Sequence, residues 1–158
     1  MIRTIPDESL EVIRRVCAEQ GCTLVDMALR GTEHRLILDL FIDNRQGVTL
    51  DLCSAVHRLL LDEAETDKFL SDVYRLDVSS PGVDRPLTFN WQYDKHVGRT
   101  VCILLRDGTD RRGKLLEVTE DDVTIAPLRS KGRQRVLEEP LRIPFDLIVS
   151  STVEVSVG

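Results

Sequence analysis

The side chains able to do covalent chemistry are few and poorly arranged. There are three histidines, His34, His57 and His96, and four cysteines, Cys17, Cys22, Cys53 and Cys102. Cys53 and His57 stand four residues apart, a spacing that sets thiol and imidazole on one helix face. A nucleophilic cysteine also needs a third group to orient its base, and none is recognisable here, so His57 reads as a helix-face residue beside Val56. The cysteines form no C-x-x-C pair and no zinc spacing. Cys17, Cys53 and Cys102 sit among apolar neighbours, where a thiol acts as a small hydrophobe. Reduced thiols fit a cytoplasmic location. The phosphate-loop, dinucleotide-fold and H-E-x-x-H patterns are absent. The acidic runs at 62–67 and 120–122 read as solvated turns rather than acid pairs or metal cages. The expectation is a protein that is not an enzyme, with no catalytic residue, no metal and no cofactor.

Binding chemistry is better represented. Arg111, Arg112 and Lys114 form one basic cluster at the start of a strand. Arg129, Lys131, Arg133 and Arg135, in "RSKGRQR", form another on an expected long loop. They are either solubilising residues or contacts to RNA phosphates, which make binding fall steeply with salt. No aromatic is interleaved with them, so base stacking is not indicated.

Charge is unevenly distributed. Residues 1–86 carry 10 Lys and Arg against 16 Asp and Glu, a net of −6, while residues 87–158 carry 11 of each. An acidic first half attracts basic partners and repels nucleic acid at long range, which argues against RNA binding by the whole chain. Hydrophobic content of 42% with 30% charged residues is that of a globular protein. No apolar run is long enough for a membrane span. The first residues, "MIRTIPDESLEVIRR", are broken by charge and proline, unlike a secretory signal.

The elements that must carry these residues follow from periodicity. Thr4 to Gln20 reads as a helix with a capping box at Thr4 and Asp7, Pro6 in its first turn and Gly21 at its end. Thr23–Leu29 and Arg35–Ile42 read as strands joined by the turn "RGTEH", with Leu36, Leu38, Leu40 and Ile42 on one face. Thr49 caps a second helix to about Asp62, and Tyr74–Ser79 is a third strand. This is an α+β arrangement: a three-stranded sheet with two helices. A short helix at 89–97 and five short strands, at "TVCILL", "GKLLEV", "DVTIAP", "QRVLEE" and "IVSSTVEVSV", then predict a small bent β-barrel of SH3 or Sm type. The expected domains are 1–80 and 88–158, joined by a junction at 81–87.

That junction is strongly specified. In Ser80-Pro81-Gly82-Val83, proline presets the first central position of a type II turn and glycine takes the positive φ of the second. Ser80 and Arg85 each precede a proline, Pro81 and Pro86, and are pushed toward extended geometry. Ser79, Ser80, Pro81, Gly82, Asp84, Arg85 and Pro86 are therefore candidate junction or partner-binding residues. Asp84 and Arg85 either brace the two halves or face a partner.

The whole segment, "YRLDVSSPGVDRPL", resembles the signature of the RimP family, bacterial factors for maturation of the small (30S) ribosomal subunit. That family usually has Glu where Asp77 stands and Leu where Val83 stands. "LFIDNRQGVTLDLCSAVHRLL" is similar to the family's strand, loop and second helix, and "VGRTVCILLRDG", "GKLLEVTEDDVTI" and "IPFDLI" to its C-terminal barrel. The resemblance implies an α/β domain followed by an SH3/Sm-like barrel. It also implies a non-catalytic assembly factor that binds immature small subunits, with the twelfth small-subunit protein as a direct partner. Contact with 16S rRNA through the basic barrel residues, a monomeric state and no membrane association complete the expectation. The alternative is an Sm-like regulator of single-stranded RNA acting away from the ribosome.

Overall fold

The computed structural model describes residues 4–82, 85–131, 134–137 and 139–154, and of 129–131 and 134–137 the backbone alone. The chain divides into two units, Met1–Pro81 and Gly82–Gly158, each built on a hydrophobic cluster of its own.

The first unit runs α1 (Asp7–Glu19), β1 (Thr23–Thr32), β2 (Arg35–Asp43), α2 (Leu50–Glu63), α3 (Lys68–Asp72) and β3 (Arg75–Ser79). Helix α1 starts three residues later than the sequence suggests. Pro6 is its N-cap with ψ 145°, so the Thr4 capping box does not form. The residue before a proline is driven extended, and Ile5 therefore cannot lie inside a helix. Gly21, at φ +78°, follows the helix end as expected.

Strand β2 is central, with β1 antiparallel on one side and β3 parallel on the other. Leu36, Leu38, Leu40 and Ile42 point one way by the strand period and are 5%, 0%, 0% and 0% exposed. Each such side chain contributes about 1.5–3 kcal/mol on burial. Leu38, Leu40 and Ile42 pack with Ile13, Val16 and Cys17 of α1 and with Val56 and Leu60 of α2. The link between β1 and β2 is tighter than expected: Thr32 lies opposite Arg35, leaving two residues between strands. Gly31 permits this, because a Cβ there would collide with the Arg35 carbonyl.

Thr49 caps α2, its side chain accepting from the Leu52 N–H at 3.1 Å. The acidic run that follows is more than a solvated turn. Asp67 accepts from the Leu70 N–H at 3.0 Å and so starts α3, a third helix the periodicity did not reveal. Ser9 Oγ, on buried Ser9 of α1, donates to the same carboxylate at 2.9 Å.

The second unit opens with a 3-10 helix, Asn90–His96, followed by β4 (Thr100–Leu105), β5 (Asp110–Val118), β6 (Asp122–Lys131), β7 (Gln134–Leu137) and β8 (Leu141–Pro144). A second 3-10 turn, Phe145–Leu147, leads into β9 (Ile148–Val153). The sheet order is β7-β6-β5-β4-β9, with β8 also on β6. Leu137 lies opposite Leu128 and Leu141 opposite Ile125, so β7 and β8 follow one another along β6. This gives six strands rather than five. Pro140, without an N–H, interrupts the ladder and separates β8 from the run that precedes it. The bent sheet closes over Val101, Ile103, Leu115, Val123 and Ile125, all 0% exposed. The fold is α+β: an α/β unit followed by a small SH3-like barrel.

Candidate functional site

The thiols, read from the sequence as small hydrophobes, lie mostly inside the first unit. Cys17, Cys22 and Cys53 are buried free thiols. The hydrogen bond with Cys22, and then burial, push the Cys17 thiol up; burial does the same to Cys53. A thiol raised in this way is a poor nucleophile. Among the described residues, no group of three or more His, Cys, Asp and Glu is placed to hold a metal ion. No described helix is long and apolar enough to cross a membrane.

The junction can be followed from each side. Ser79 closes β3 opposite Phe41, and Ser80 and Gly82 are exposed. Gly82 has φ +71°, the left-handed value that a Pro-Gly turn demands of its glycine. Asp84 lies outside the described residues. Arg85 is half-buried and Pro86 exposed.

Beyond Pro86 the chain is fastened tightly to the second unit. The Leu87 N–H donates to the Ser151 carbonyl at 2.8 Å, and the Leu87 side chain packs on the second core. The N–H groups of Thr88 and Phe89 both donate to Oε1 of Gln92 at 2.8 Å. Gln92 is 1% exposed, so these bonds are shielded from water. Tyr93, also buried, donates to Ser151 Oγ at 2.7 Å and meets the Phe145 ring edge-on at 5.2 Å. Burial pushes the Tyr93 phenol above its ordinary value, against the opposing effect of the Ser151 bond.

On the first unit's side, β3 carries Leu76 and Val78 against the helical core. Asp77, between them, points to the other face of the sheet. There the Arg30 guanidinium reaches Asp39 at 2.7 Å and Asp77 at 3.5 Å, while Arg75 reaches Asp77 at 3.1 Å. Arg15 joins Glu63 at 2.6 Å and so ties α1 to α2. These pairs engage individual carboxylates but leave the first half's net charge of −6 unchanged. Asp7 and Glu8 in the first turn of α1, and Asp51 in that of α2, stand where helix dipoles favour negative charge.

The two basic clusters emerge at the same end of β5 and β6. These strands pair as far as Gly113 opposite Pro127, and Arg111, Arg112 and Arg129 lie just past that point. Lys114 is exposed opposite Thr100. Arg112 is engaged: it grips Glu154 through two hydrogen bonds of 2.6 and 2.8 Å, which raise its pKa further. Where a long loop is expected over 129–135, residues 129–131 and 134–135 continue the sheet. Arg129 pairs with Val136, Ser130 with Arg135 and Lys131 with Gln134. Arg133 lies outside the described residues.

Sequence reasoning missed Gln92, Ser151, Glu154 and Asp67. Two carried a local signal: Asp67, an N-cap three residues before Leu70, and Gln92, three residues after the Phe89 N-cap. Ser151 and Glu154 act across 58 and 42 residues.

Comparison with known proteins agrees with this architecture. The model of the RimP N-terminal domain matches residues 12–84, nearly the whole first unit and the junction to Asp84. Two curated proteins named ribosome maturation factor RimP are similar over most of their length. That of Cytophaga hutchinsonii is 34% identical over 142 residues, covering 84% of this chain and 85% of its own. That of Prosthecochloris aestuarii is 32% identical over 153 residues, covering 87% and 85%. With both units, the junction and the relatives in agreement, the chain belongs to the RimP family.

Proposed function

We propose that this protein is a ribosome maturation factor acting without catalysis on the immature small (30S) subunit in the cytoplasm. The observation that carries the reading is likeness to proteins named ribosome maturation factor RimP across 85% of their length, through both units. The acidic first unit is the natural face for a basic small-subunit ribosomal protein, with the twelfth as the named candidate. Opposite charge steers such an encounter and discriminates against acidic partners. Arg111, Lys114 and the Arg129–Arg135 hairpin supply the contact to 16S rRNA phosphates. Asp84 and Arg85 in the junction are partner-facing, and the protein acts as a monomer.

The engagement of Arg112 by Glu154 removes one cation from the basic end, so RNA contact by that end carries less of the binding in this reading and in the rival of a free RNA regulator. The reading is tested by sedimentation of cell extracts. The protein should travel with free small subunits and leave complete ribosomes empty. Retention of isolated RNA in physiological salt, with no preference for ribosomal particles, overturns it.

A further inference from the structure

Phe89 and Trp91 flank Asn90 at the start of the first 3-10 helix, and their rings stack with centroids 5.7 Å apart and planes 10° apart. Phe89 is 36% exposed and Trp91 half-buried. Neither belongs to the second core, so the pair forms an aromatic surface on the outside of that unit. It is also held rigidly, since Gln92 Oε1 takes the backbone N–H groups of Thr88 and Phe89.

Asn90, between the two rings, donates through Nδ2 to the Glu120 carbonyl at 3.4 Å. That bond brings the β5–β6 turn against the aromatic pair. Glu120 and Asp121 on the turn are exposed. Asp122 is occupied, accepting from Thr119 Oγ1 at 2.8 Å with Arg142 at 3.7 Å. The 3-10 helix and the turn carry Asp94, Glu120, Asp121 and Asp122, with Lys95 on the helix and Arg142 beside Asp122.

An exposed stacked aromatic pair beside an acidic turn fits one side chain above others. A guanidinium stacks on an indole face while its N–H groups bond to carboxylate oxygens. A nucleobase would also stack on the rings, but the carboxylates would repel its phosphates. We propose that Phe89 and Trp91, with Glu120 and Asp121, form a docking site for an arginine side chain of a basic protein partner. The site rests on the reading that the partner is a basic ribosomal protein, and it places one contact of that partner on the second unit. The fixed backbone lowers the ordering cost of binding.

Trp91 is the only tryptophan, so its emission in the full-length protein reports the site directly. Three probes separate the possibilities: an arginine-rich Gly/Ser peptide, the same peptide with citrulline for arginine, and a single-stranded RNA oligonucleotide. The arginine peptide should change Trp91 emission saturably, and the neutral citrulline peptide should bind about tenfold more weakly. The double variant Glu120→Gln, Asp121→Asn should lose a similar factor while keeping its far-ultraviolet circular dichroism. An unchanged affinity in that variant, silence toward the arginine peptide, or a response to RNA in place of the peptide overturns the proposal. Co-sedimentation with small subunits while Trp91 ignores the arginine peptide defeats this site alone. An arginine response without co-sedimentation defeats the small-subunit reading alone.

Discussion

Tyr93 donates to Ser151 Oγ at 2.7 Å inside the second core, and the carbonyl of the same Ser151 receives the Leu87 N–H at 2.8 Å. One residue of β9 thus holds both the 3-10 helix and the segment leaving the junction. Sequence separation is 58 residues for the first bond.

Tyr93→Phe removes the donor and leaves a buried Ser151 hydroxyl to find another partner. The expected loss is about 1–2 kcal/mol in the second unit, read by urea denaturation of the full chain. The double variant with Ser151→Ala should recover part of it.

Alkaline pH supplies an independent check on the burial of the same phenol. The Tyr93 phenol is raised above its ordinary value of 10.0 in the folded state. A raised pKa means the native state holds that proton more tightly than the unfolded chain does. Its contribution is fully present below about pH 10 and is lost as pH rises toward the folded value. Denaturation midpoints measured from pH 8 to 11 should fall, and Tyr93→Phe should flatten that decline. An equal decline in both proteins would contradict the assignment.

Gly82→Val forces a β-branched side chain into φ +71°. The expected cost is about 1–3 kcal/mol, with weaker small-subunit binding, checked by calorimetry and co-sedimentation together. Arg85→Ala should leave stability within about 0.5 kcal/mol and reduce subunit binding. Loss of folding in that variant would identify a brace instead of a partner contact.

Asp67→Ala removes the α3 cap and strands the buried Ser9 hydroxyl. A destabilisation of about 1–2 kcal/mol of the first unit is expected. Asp67→Asn should retain most of the stability, since an amide oxygen can still cap.

The reach of sequence reasoning followed the range of the interactions. The alternation of Leu36, Leu38, Leu40 and Ile42 and the cap at Thr49 are local patterns, and both were legible. Helix α3 is only five residues long, too short for an apolar stripe to show. Strand β8 was hidden behind Pro140, and the basic hairpin behind its own charge, which reads as loop. The Arg112–Glu154 pair joins residues 42 apart, so nothing local distinguishes this arginine from Arg111 beside it. Composition separated an acidic half from a neutral one, but not which charges were already spent on pairs such as Arg30–Asp39.

The central claim is that this family member binds the maturing small subunit as a non-catalytic factor. Gradient sedimentation of extracts, with the protein followed by antibody at near-physiological salt, tests it most directly. The protein should peak with free small subunits and be absent from complete ribosomes. A peak at the top of the gradient, or equal occupancy of complete ribosomes, would contradict the account.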